Sequence, residues 1–172
     1  MFGRVLLRSL LATALALCVP AAALAAPPAA GAPANALIIL PVSVTKTKDM
    51  DFGYLAVAAT AGTAVLEPNA DVLTTTAGVT AIGGTPHSAE FAGAAQSNSV
   101  VNIKVPNQPT ILTRVGGTET MTLNNFTLQG QSKRALAKAQ SFKFRVGGTL
   151  NVAANQVQGT YVGTFNVTVQ YP

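Results

Sequence analysis

Residues 160–171 read Thr-Tyr-Val-Gly-Thr-Phe-Asn-Val-Thr-Val-Gln-Tyr. In an extended chain, Tyr161, Gly163, Phe165, Val167, Val169 and Tyr171 share one side. Thr160, Thr164, Asn166, Thr168 and Gln170 share the other, where Val162 is the one apolar residue. Successive side chains of a strand point to opposite faces, so this period of two is the pattern of a half-buried strand. Unbroken, it would run ~40 Å, well beyond the usual strand of about five or six residues. Either Gly163 bends it or it has an unusual partner. A long amphipathic strand ending a chain is either internal to a closed sandwich or an edge that awaits pairing.

Working back from it, the chain stays β-like to residue 37. Residues 141–152 put Phe142, Phe144 and Val146 on one face and Lys143 and Arg145 on the other. Residues 118–128 alternate Met121 and Leu123, then Phe126 after a break. Short β-branched runs occupy 63–66 and 72–76, short strand-like stretches follow at 90–92 and 100–105, and Pro106 stops the last. Residues 37–48 open apolar and then alternate Val42 and Val44 with Ser43 and Thr45; Pro41 confines that stretch to an edge or a bulge. Residues 51–55 follow a turn. Only residues 132–140 (SKRALAKAQ) read as helical, a Ser cap followed by good helix formers. The triplet Gly-Gly-Thr starts at Gly83, Gly116 and Gly147 without repeating flanks, which favours shared turn chemistry over a true repeat. Many short strands with Gly, Pro and Asn punctuation predict an all-β sandwich.

The 172 residues are 49% hydrophobic and 10% charged, but part of that hydropathy belongs to the beginning of the chain. Arg4 and Arg8 precede an apolar run at 5–17, and Ala23-Leu24-Ala25 is a small-x-small cleavage site. The run is too short to span a bilayer, which takes ~20 apolar residues. Residues 1–25 are therefore expected to be a cleaved signal peptide. Residues 26–36 form an Ala/Pro-rich flexible leader, and 37–172 the β-sandwich domain. The chain's 1 Cys, Cys18, leaves with the signal, so the exported protein has no disulfide. A lipid anchor on Cys18 is disfavoured because Leu17 stands where a small residue is needed. Removing Arg4 and Arg8 lowers the net charge from +5 to +3.

These counts leave little room for catalysis. His87 is the only imidazole. His87, Ser88 and Glu90 look like triad parts, but adjacent strand residues face opposite ways and no oxyanion motif accompanies them. A surface histidine beside a turn is the expected reading. Asp49 and Asp51 could share a face for glycoside hydrolysis or Ca²⁺, yet beside a turn Asp more often bonds its own backbone. One His and no exported Cys cannot build a zinc site, and no phosphate loop is present. Lys133, Arg134 and Lys138 are the one cluster of cations, expected as a solvated loop rather than a nucleic-acid surface. No catalytic residue, metal or cofactor is expected, and the protein is expected not to be an enzyme.

The block Phe144-x-Val146-Gly147-Gly148-Thr149-Leu150, followed by Gly159-Thr160-Tyr161-x-Gly163-Thr164-Phe165-x-Val167-Thr168-Val169-x-Tyr171, resembles a secreted bacterial domain family of unknown function. The run Val44 to Gly53 (VTKTKDMDFG) fits the start of that family. The family is similar in style to spore-coat-U-like proteins and to subunits of chaperone–usher pili, immunoglobulin-like sandwiches that lack one strand. The penultimate aromatic Tyr171 and Gly159 stand where pilins present their C-terminal strand to a periplasmic chaperone. The resemblance implies an immunoglobulin-like (pilin-like) sandwich. Gly159, Tyr161, Gly163, Phe165, Val167, Val169 and Tyr171 would then be the partner-strand positions. It also implies a secreted structural or adhesive subunit, fimbrial or coat-like, in the periplasm or on the outer surface of a bacterium. Its partners would be a chaperone and like subunits, with no nucleic acid and no transmembrane segment. The donor would be the leader, where Ala32, Ala34, Ala36, Ile38 and Leu40 alternate. Two rival readings are a monomeric envelope binding module and, less favoured, an envelope hydrolase using Asp49 and Asp51.

Overall fold

A computed structural model of the protein describes residues 33, 35–138 and 140–172. The expected signal peptide and most of the expected leader lie outside the described residues. The chain divides into two units, Met1–Leu37 and Ile38–Pro172, and every strand named below belongs to the second. Among the described residues the protein is all-β, with no helix and none long and apolar enough to cross a membrane.

The spine is the twelve-residue strand β11 (Ser141–Val152), which has the bounds expected from its alternation. Every even-numbered residue from Phe142 to Val152 is buried. Its first half pairs with β6 (Ala89–Ala94), and β6 with β1 (Ser43–Lys48). Its second half pairs on the same side with β3 (Gly62–Leu66), and β3 with β4 (Leu73–Thr75). On the other side lies β9 (Thr120–Leu128), followed by β8 (Thr110–Arg114) and β12 (Tyr161–Val162). The exchange of β6 for β3 falls at Gly147, where a Cβ would strike the Leu66 carbonyl oxygen. The partner strand comes too close there for any residue but glycine. The Gly-Gly-Thr at 147 is thus a mid-strand crossing, not the turn expected, whereas Gly84 and Gly116 do take the positive φ of turns.

Two small sheets cover the large one. β7 (Ser99–Lys104) lies between β10 (Lys133–Leu136) and β13 (Thr168–Gln170). Its Val101 and Ile103, with Leu136, pack on Phe91, Phe144 and Val146. β2 (Tyr54–Val57) pairs with β5 (Val79–Gly83), and Val79 joins Phe52, Ala64, Leu66, Leu123, Leu150 and Val152 in a second cluster. Met50, Phe126 and Phe165 pack against both clusters. The arrangement is sandwich-like: burial of alternating residues from facing sheets holds the layers together.

The helix expected at 132–140 is not formed. Residues 133–136 are β10, paired in register with Asn102 to Ser99 of β7. Leu136 is 6% exposed there, a burial that a short isolated helix could not supply. β5 and β8 lie in stretches whose sequence carries no strict alternation, and they are formed by their pairing partners.

Candidate functional site

The C-terminal segment is two short strands, not one long one. β12 pairs Tyr161 with Arg114 and Val162 with Thr113; β13 pairs Thr168, Val169 and Gln170 with Lys104, Ile103 and Asn102. Residues 163–167 belong to no strand. Gly163 presses on β8, where an added Cβ would lie 2.6 Å from the Ile111 carbonyl oxygen. The chain bends here because it leaves one sheet for the other, so the alternation survives while the ladder does not.

Both strands are outermost: β12 ends the order β1-β6-β11-β9-β8-β12 and β13 ends β10-β7-β13. Such an edge presents backbone N–H and C=O groups with no strand beside them. The side chains at 165, 167, 169 and 171 are half-buried against the first cluster. Phe165 packs tilted against the Phe126 ring, with centroids 5.0 Å apart, and meets Phe91 edge-on at 6.3 Å. Tyr171 donates its hydroxyl to the Leu40 carbonyl at 2.7 Å and accepts from the Gln96 N–H at 2.9 Å. Tyr161 donates to the Val157 carbonyl at 2.6 Å. Gly159 is exposed in the turn before β12, at φ 153 with Arg114 beside it. The expected positions 161–171 thus lie along one edge path, with Gly159 at its start.

The residues tested for catalysis do not converge. Asp49 is exposed and paired with Lys46. Asp51 Oδ1 accepts from the Gly53 N–H at 2.7 Å, the backbone role expected of a turn aspartate. Asp51 and His87 exchange backbone hydrogen bonds of 2.9 Å, and His87 is half-buried with Nδ1 enclosed and unbonded, not the solvent-facing histidine expected. Among the described residues no three His, Cys, Asp or Glu gather as a metal site.

One polar cluster was not legible in the sequence. Asp71, at φ 53, accepts at Oδ1 from the Ser88 N–H (2.8 Å) and hydroxyl (2.6 Å), and at Oδ2 from Arg145 (2.9 Å). Burial pushes the Asp71 carboxyl up, but the Ser88 hydrogen bonds and the Arg145 and Lys48 charges outweigh it, so its pKa is lowered. Arg134 is likewise no solvated loop charge. It donates to the carbonyls of Lys143 (2.7 Å), Gln131 (3.1 Å) and Gln129, and lies 5.8 Å from the Phe144 ring centroid. Loss of water around it lowers its pKa.

Comparison with curated proteins and with solved structures found no match. Residues 42–171, well over half of the chain, match the family model described as Domain of unknown function (DUF4402), and the chain belongs to that family.

Proposed function

We propose that this protein is a secreted structural or adhesive subunit of a bacterial surface, fimbrial or coat-like, that assembles by β-strand complementation. A periplasmic chaperone would hold the edge before a like subunit takes it. The observation that carries this reading is that β12 and β13 are edge strands of two different sheets, so that, among the described residues, 161–162 and 168–170 have a strand partner on one side only. Strand addition to such an edge takes affinity from main-chain hydrogen bonds and register from alternating side chains. The same body supplies a candidate donor: Ile38 and Leu40 are 94% and 57% exposed, apolar and two residues apart. A pilin-like relationship would account for both features.

The test is size analysis of the exported protein with and without residues 26–40, a deletion that removes Ile38 and Leu40. Concentration-dependent high-mass species, lost on that deletion, are expected. A protein that stays monomeric at all concentrations would overturn the proposal and favour an envelope binding module. The hydrolase reading has no support in the geometry of Asp49 and Asp51, which are bonded to Lys46 and Gly53.

A further inference from the structure

A concavity of about 580 Å³ lies where β3, β9 and the end of β11 meet. Its wall includes Thr63, Thr76, Thr122, Asn151 and Gln156, and no charged side chain. Half-buried Met121 contributes apolar surface. None of its lining residues belongs to positions 159–171, although Gln156 of the wall bonds the Tyr161 hydroxyl.

Two amides in this wall are locked. Asn151 Nδ2 donates to the Thr122 carbonyl at 3.1 Å and to Asn124 Oδ1 at 3.0 Å. Gln156 Nε2 donates to the Thr120 carbonyl at 3.2 Å and to the Tyr161 hydroxyl at 2.8 Å. An amide nitrogen has two hydrogens, and both are used in each case. The carbonyl oxygens Asn151 Oδ1 and Gln156 Oε1 are therefore fixed in direction and keep their lone pairs for another donor. Across the wall, Thr63 and Thr76 bond each other through their hydroxyls at 3.1 Å, which leaves one hydroxyl hydrogen to donate outward. Fixed acceptors opposite a hydroxyl pair lose little freedom on binding, which is how a preorganised site gains affinity.

We propose that this groove binds an uncharged, hydroxyl-rich ligand, of the chemical class of a neutral sugar. Its size falls within the range of small-molecule sites. Sugar hydroxyls both donate to amide oxygens and accept from threonine, and their C–H faces suit the half-buried Met121. An ionic ligand would find no countercharge in the wall. Recognition runs through hydrogen bonds and aliphatic contact, so it needs none of the aromatic stacking that the chain's lack of Trp denies it.

The test is amide NMR of the purified protein titrated with maltose, cellobiose, lactose and chitobiose, with glucuronic acid as the charged counterpart. Saturable shifts centred on Thr63, Thr122, Asn151 and Gln156 with at least one disaccharide, and none with glucuronate, are expected. Gln156→Met keeps the side-chain length and removes the acceptor; it should weaken binding about three- to tenfold, the worth of one neutral hydrogen bond. Thr122→Val, nearly isosteric, serves as the second variant should Gln156→Met disturb the fold, as judged by its spectrum. No saturable shift with any disaccharide, shifts centred elsewhere, equal binding of glucuronate, or unchanged affinity in folded variants would each overturn the proposal.

Discussion

At the scale of single residues, Asp71 ties two neighbouring strands together through its ionised carboxyl. Its carboxylate joins Ser88 of β6 and Arg145 of β11, and Ser88 is only 2% exposed. A group whose pKa is depressed by folding stabilises the folded state above its unfolded value, and loses that contribution as pH falls through the folded one. For Asp71 the window therefore opens below its ordinary value of 3.8. Asp71→Asn keeps the shape and tolerates the positive φ, but removes the charge. At neutral pH it is expected to destabilise the protein by about 1–3 kcal/mol, because Arg145 and Ser88 lose a charged acceptor. The difference from wild type should shrink as pH falls below 3.8, where the unfolded chain takes up the proton first and the wild-type carboxylate's contribution begins to be lost. Urea unfolding of both proteins at pH 7 and pH 3 checks this; a pH-independent difference would refute the assigned cause.

At the scale of elements, β10 shows what the sequence withheld. Ala135, Leu136 and the flanking Lys residues are good helix formers, and nothing local argues for a strand. The strand forms because β7 offers a partner and Arg134 ties it to the carbonyls of residues 129, 131 and 143. Arg134→Met should lower stability by about 2 kcal/mol, since charge-assisted hydrogen bonds are the stronger kind. Arg134→Lys should recover only part of it, having no planar fork to reach several carbonyls. Thermal midpoints of the two variants check this. β11, by contrast, was legible to the residue because its alternation is strict and its inner face is wholly buried. The C-terminal segment was legible in which side chains face inward, but not in its break. Gly163 sits where the chain changes sheets, and the partners that impose the change, Ile111 and Ile103, are 52 and 60 positions away in the sequence. The Asp71 cluster was invisible for the same reason, with partners 17 and 74 residues distant. Gly147 was visible as a glycine, but its purpose depends on Leu66 passing beside it. Gly147→Ala should destabilise by about 1–3 kcal/mol or more, the range for overpacking a close contact, as read from a denaturant midpoint.

At the scale of the whole molecule, no disulfide staples the sandwich, so order is graded by how each strand is covered. β11 lies between partners on both sides, and its Phe144 and Val146 are fully buried. β12 and β13 are short and, among the described residues, paired on one side only. Local opening draws on the elements with the fewest buried contacts and the most exposed backbone hydrogen bonds. Phe165 opposes that tendency, because it packs against both core clusters and so ties the terminal segment to each. Native-state hydrogen exchange should therefore find the amides of β11 opening only with global unfolding, and those of β13 opening earlier, at a lower free energy. Phe165→Ala should widen that gap by loosening β13 more than it weakens β11, since the aromatic anchor is lost at the edge while the stacked pair Phe91 and Phe144, at 5.2 Å, remains. An edge that opens ahead of the body is also what exchange with an incoming strand requires. Amides of β13 as protected as those of β11 would remove that route and leave the terminal strands as a closed border of the sandwich.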